Sequence, residues 1–156
     1  MTEDERFMRQ AIKVAVSAVK HGNEPFGAVL VKDGSIVFEN ENQVKTSGDK
    51  TMHATSGLIR RYCAQTGIKD LSDYTIYANC EPCFMCCGVI VWAHVGRLVY
   101  AATDKDLGKI ICDPGSKCAD TVFRSSAWEP KVTKGVLRRD SISLLRAYYD
   151  RYPHIS

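Results

Sequence analysis

The chain has 156 residues, 45% of them hydrophobic and 25% charged, with a formal net charge of +3. That length suffices for one domain with its own core, and the positive charge is scattered in short pairs such as Arg60-Arg61 and Arg138-Arg139, so nucleic acid is not an expected partner. No apolar run approaches the roughly 18 to 20 residues that span a bilayer, so no membrane partner is expected and small-molecule chemistry is the leading class.

The amino-terminal stretch MTEDERFMRQ is acidic and helix-like, unlike a secretory leader, and a cytoplasmic location is the expectation. Thr2 and Glu5 have the spacing of a capping box, and Phe7, Ala11, Ile12, Ala15 and Val19 recur at helical spacing until Gly22 supplies a stop. FGAVLV and SIVFEN flank Asp33-Gly34, the short-range signal of an antiparallel hairpin. A helix is predicted from near His53 through Leu58, Ile59 and Tyr62 to Gly67, followed by a strand over residues 74–79. A second apolar helix is predicted from about Cys83 to near Gly96, then a strand over residues 97–102, parallel to the previous one because a helix joins them. From Thr103 to about Glu129 no period is strong. Beyond it, KVTKGVL reads as a fifth strand and SISLLRAYYDRY as a closing helix capped by Asp140 or Ser141. The order implies a three-layer α/β/α sandwich around a five-stranded mixed sheet, one domain over residues 1–156.

Seven cysteines are present, four of them in CEPCFMCC. Such crowded thiols cannot all cross-link, and without a secretory signal they point to metal binding. Cys83 and Cys86 are one helical turn apart at a helix start, so both sulfurs can face one ion, and His53 stands at the start of the other helix. Neither a second C-x-x-C nor an H-x-x-x-H completes a closed structural site. Three ligands with a vacancy are the catalytic pattern, in which a zinc-bound water is acidified toward pH ~7. One Zn2+ per chain is expected, with both helix N-termini aimed at it. Cys63, Cys112 and Cys118 read as ordinary loop or small apolar residues, Cys80 and Cys87 as packing neighbours, and His21 and His94 as helix-terminal residues.

PFGAVLV, then HA, then CEPCFMC together resemble the cytidine deaminase superfamily, whose signature is H-x-E with P-C-x-x-C. The resemblance runs from about residue 7 to 102, and more weakly to the C-terminus, and falls in the branch of guanine deaminases and tRNA adenosine deaminases. NQV after the hairpin, VWA after the cysteines and the chain length favour the guanine deaminase side, whereas Glu24 before Pro25 is similar to the tRNA side. The resemblance implies a hydrolytic deaminase of a purine-type base with zinc on His53, Cys83 and Cys86. It further implies Asn42 and Ala54 at the base, Phe26 and Trp92 as pocket walls, and Asp113 as a second acid. For Phe26 and Trp92, simple core packing is an equal alternative; for Asp113 a turn role is. By position, Tyr148, Tyr152 and His154 correspond to a tail that covers the site, exchanged between the subunits of a homodimer in that family.

One residue departs from the signature. Thr55 stands where the resemblance calls for glutamate, and a hydroxyl that does not ionise near neutral pH can hydrogen-bond but cannot shuttle protons. Three explanations stand: an engineered variant of a deaminase, a natural enzyme whose proton shuttle has moved to Asp113 or Glu24, or a zinc-bearing pseudoenzyme that binds a base or a partner subunit. Retention of an open metal position and of pocket residues favours the second, with Thr55 part of an altered catalytic site. A tRNA adenosine deaminase ranks below these.

Overall fold

Helix α1 (Glu3–Lys20) opens on the expected capping box: Thr2 Oγ1 accepts the Glu5 N–H and Glu5 Oε1 accepts the Thr2 N–H, both at 3.1 Å. The structure is a computed structural model and describes residues 1–113 and 119–154. Phe7, Met8, Ala11, Val14, Ala15 and Ala18 form the buried stripe of α1, at the period of an amphipathic helix. Strands β1 (Gly27–Lys32) and β2 (Ser35–Glu41) form the hairpin. Its turn places both Asp33 (φ 50°) and Gly34 (φ 75°) in the left-handed region, as an Asp-Gly hairpin turn requires. A short helix α2 (Val44–Ser47) leads into α3 (Ala54–Thr66), which ends on Gly67 at φ 76°. Then follow β3 (Thr75–Cys80), α4 (Phe84–Trp92), β4 (Arg97–Ala102), α5 (Asp104–Ile111), α6 (Ala119–Arg124), β5 (Lys131–Lys134) and α7 (Arg138–Arg151).

The sheet runs β2-β1-β3-β4-β5. β1 is antiparallel to both β2 and β3, whereas β3, β4 and β5 are parallel. Alternation along the central strands sorts side chains onto two faces. Ala28, Leu30, Ile76, Leu98 and Tyr100 pack in one core with Leu58, Ile59 and Ile90 of α3 and α4, whereas Val29, Val31, Tyr77, Val99 and Ala101 pack with α1. The expected three-layer α/β/α sandwich with a five-stranded mixed sheet is what forms.

Two expectations are revised. The stretch read as having no strong period holds α5 and α6, and α5 carries its own capping box, Thr103 with Asp106. Its apolar residues Leu107, Ile110 and Ile111 recur at helical spacing and pack, partly buried, against Leu145, Tyr148 and Tyr149. Helix α7 begins earlier than expected, with Leu137 as its N-cap at φ 54° rather than Asp140 or Ser141. Ser141 is buried and its hydroxyl donates to the Asn79 carbonyl of β3, so tertiary contact sets its place in the helix.

Candidate active site

The parallel strands β3 and β4 end on the same edge of the sheet, where ligand sites of such sheets form. Because β1 is antiparallel to β3, its beginning lies at that edge too: Ala28 pairs with Ala78, bringing Phe26 and Gly27 beside Asn79. The end of β2 follows by the hairpin, with Gly27 paired to Glu41 and the Asn42 N–H donating to the Phe26 carbonyl at 3.0 Å. Three motifs distant in sequence meet here for that topological reason.

Asn79, not singled out in the sequence, holds the junction. Its Oδ1 accepts the Gly27 N–H at 2.8 Å and its Nδ2 donates to the Pro25 carbonyl at 3.0 Å. Asn40 does the same for the start of α3: its Nδ2 donates to the Ala54 carbonyl at 2.9 Å, and its Oδ1 accepts from Arg61 at 2.8 Å. Both are buried polar residues in strands, which sequence alone does not distinguish from ordinary strand polars.

His53 and Cys83 are the N-cap residues of α3 and α4, both with extended backbone and neither using its side chain as a cap. His53 Nδ1 lies 3.4 Å from Cys83 Sγ and 3.7 Å from Cys86 Sγ. Ligands at zinc–sulfur and zinc–nitrogen distances of ~2.3 and ~2.0 Å in a tetrahedron stand about 3.6 Å apart, so both nitrogen–sulfur separations match that spacing, and all three atoms lie within 4.8 Å of one another. Without metal the group shares protons. Hydrogen bonding from Cys86 and, more weakly, His53 holds the Cys83 thiol well below its ordinary value, whereas Cys83 and burial push Cys86 up and Cys83 raises His53. A cation would displace these protons.

The three residues open onto a cavity of about 200 Å³ whose lining also includes Glu24, Phe26, Asn42, Ala54, Thr55 and Glu81. That is below the ~300–1,000 Å³ usual for drug-sized ligands and suits a single small ring system. Thr55 is only 4% exposed and contributes to the cavity lining. Glu81 is occupied structurally, accepting the N–H groups of Asp104 and Ala119.

The other expected residues divide. Trp92 is not a pocket wall: at the far end of α4 it is 89% exposed and outside the lining. Asp113 is likewise outside the lining, with its carboxylate 3.9 Å from His154, and Pro114, Gly115 and Cys118 lie outside the described residues. His154, from the tail, lines the cavity. Tyr148 and Tyr152 do not line it. Tyr148 instead accepts from Lys45 at 2.9 Å and packs on Tyr152, and the neighbouring Tyr149 takes the lining position because one residue rotates ~100° around a helix.

The family profile described as the zinc-binding region of cytidine and deoxycytidylate deaminases matches residues 1–102. The chain belongs to that deaminase family. It is 45% identical over 103 residues to the guanine deaminase of Bacillus subtilis (strain 168), covering 65% of this chain and 66% of that one. It is 32% identical over 154 residues to the tRNA-specific adenosine deaminase of the same organism, covering 96% of this chain and 90% of that one. Among solved structures, a guanine deaminase from Nitrosomonas europaea superposes with a TM-score of 0.83 at 26% identity, over 94% of this chain and 84% of that one. A structure from studies of tRNA:A34 deaminases superposes at 0.77 and 31% identity, over 90% and 99%. The exclusion of nucleic acid drawn from charge alone therefore does not stand, since relatives named for tRNA match nearly the whole deaminase chain. Family and geometry agree on one zinc ion at His53, Cys83 and Cys86.

Proposed function

We propose that this protein is a single-domain, zinc-dependent hydrolytic deaminase of an amino-substituted purine-type base, with a proton route altered by Thr55. The observation that carries this reading is the His53/Cys83/Cys86 cluster at the floor of a small cavity in which Asn42 and Thr55 present polar groups. When bound, zinc would supply an acidified water as nucleophile. Phe26 offers an apolar wall to a planar ring, and Asn42 and Ala54 flank its edge. Thr55 can orient a water or an exocyclic amine by hydrogen bonding, and it cannot carry a proton between them. Of the two acids considered as replacements, Glu24 lines the cavity and Asp113 does not. A homodimer and a cytoplasmic location fit this reading; the exposed apolar face of α4, with Phe84 49% and Trp92 89% exposed, supports self-association.

The test is ammonia release from purine, pterin, triazine and pyrimidine amines by the zinc-loaded protein and its Thr55→Glu form, with zinc content measured alongside. We expect one zinc per chain, lost in Cys83→Ala, and turnover by the unaltered protein. Activity confined to Thr55→Glu supports the second reading, a catalytically impaired form or pseudoenzyme that retains binding, which the threonine itself favours. Silence from both forms with every amine overturns the deaminase reading.

A further inference from the structure

Hydrolytic deamination forms one bond, from water oxygen to the ring carbon, and breaks one, from that carbon to the amine nitrogen. A proton must leave the water, and a proton must reach the departing nitrogen, which goes as ammonia. Thr55 cannot carry it. Among the described residues, the cavity lining offers few other titratable side chains once the three metal-binding residues are set aside. Both carboxylate oxygens of Glu81 are taken by backbone, Oε1 accepting the Asp104 N–H and Oε2 the Ala119 N–H. Glu24 is hydrogen-bonded to the Tyr149 hydroxyl, and burial, chiefly, pushes that hydroxyl above its ordinary range, away from proton exchange near neutral pH. The lining residue left over is His154, and imidazole is the side chain whose ordinary charge change falls near neutrality.

His154 follows the end of α7, and its side chain is only 26% exposed. Its Nε2 stands 3.9 Å from Asp113 Oδ2, and its ring meets that of Tyr149 edge to face, with 6.2 Å between centroids. A carboxylate near one ring nitrogen stabilises the imidazolium that forms on proton uptake. A ring system that fills a cavity of about 200 Å³ buries most of its surface against the lining, so it meets His154. We infer that His154 is the proton carrier of this site, in the role a glutamate at position 55 would fill, with Asp113 as its positioning residue. It takes the proton from the attacking water and gives it to the amine nitrogen as the carbon–nitrogen bond breaks, ending the cycle neutral. Asp113 acts through the imidazole and so has no need to line the cavity. This inference rests on the deaminase reading above and goes beyond it by naming the group that moves the proton.

The experiment takes the amine of the purine, pterin, triazine and pyrimidine panel that the zinc-loaded parent turns over fastest, and compares the parent with His154→Ala, His154→Gln and Asp113→Asn. Calorimetry with the oxo product of that amine measures binding apart from turnover, and thermal unfolding and zinc content confirm that each form is folded and loaded. Both His154 forms should lose about a hundredfold or more in kcat, the usual cost of a missing general acid/base, while product binding stays within about threefold. Added imidazole should restore part of the turnover of His154→Ala and none of it in His154→Gln, where the cavity is still filled. Asp113→Asn should lower kcat by less, again without weakening product binding. Unchanged kcat in the His154 forms overturns the inference and leaves the deaminase reading intact. A loss that imidazole does not restore, or that tracks an equal loss of product binding, makes His154 a covering residue and overturns it as well. Turnover confined to Thr55→Glu shows that the parent has no proton carrier and overturns the inference alone. No ammonia from any amine with either residue at position 55 overturns both.

Discussion

A β-carbon on Gly27 would lie 2.5 Å from both the Ala11 carbonyl oxygen and the Ala15 amide nitrogen, so α1 rests directly on the backbone at the start of β1. No side-chain rotation relieves a clash with backbone. Gly27→Ala should cost about 1–3 kcal/mol by overpacking and lower the melting temperature by several degrees, measured by calorimetry. Because Gly27 also donates to Asn79 beside the cavity, the same change should weaken ligand binding more than a remote change of equal stability cost does. At this scale the legible residues were those with unusual chemistry. His53, Cys83 and Cys86 could be read because few other roles combine those types at that spacing, whereas Asn40 and Asn79 are ordinary amides whose importance comes from the backbone groups they meet.

Helix α5 is tied to α7 by Asp106 and Arg138, at 2.6 and 2.8 Å through two nitrogen–oxygen pairs. The Arg138 guanidinium, chiefly, and the Thr103 N–H and hydroxyl hold the Asp106 carboxyl far below the usual carboxylate range against the opposing effect of burial. A depressed acid contributes stability that is present above its unfolded value of ~3.9 and is lost as pH falls through the folded value. Asp106→Asn keeps an acceptor for the cap and removes the charge. It should lower the melting temperature at pH 7 by about 2–4 °C, kept modest because Arg138 is half exposed, and the gap from the parent should close as pH drops below about 4. The elements with strong periods or caps followed by apolar stripes were readable in sequence. Helix α5 has a cap and a stripe of only three residues, Leu107, Ile110 and Ile111, too short to give a strong period, and α7 takes its start from Ser141 docking on β3, a contact no local pattern encodes.

At the scale of the whole molecule, α4 presents exposed apolar side chains among the described residues. Phe84, Gly88 and Trp92 are spaced four apart on α4, with Phe84 and Trp92 exposed and open space around Gly88, which makes a flat apolar face on a helix that is apolar almost throughout. If that face pairs two copies of the chain, Trp92→Glu should convert a dimer to a monomer in sedimentation velocity while leaving zinc content unchanged. A Trp92→Glu protein that sediments like its parent removes this face from the interface. The family resemblance implied Trp92 as a pocket wall, with core packing an equal alternative. The fold shows why that fails: α4 carries its N-terminus to the metal and its C-terminus away from it, and Trp92 is the last residue of the helix.

By itself the sequence determined the His53/Cys83/Cys86 cluster, the helix starts that carry it, the hairpin and the mixed sheet, because each depends on local spacing or on short-range turn chemistry. Only the tertiary structure decided which residues share the cavity. The antiparallel placement of β1 against β3 brings Glu24, Phe26 and Asn42 to the zinc ligands, and the docking of α7 brings Tyr149 and His154 there instead of Tyr148 and Tyr152. Those meetings are set by strand direction and helix rotation over long separations, and no window of sequence contains both partners.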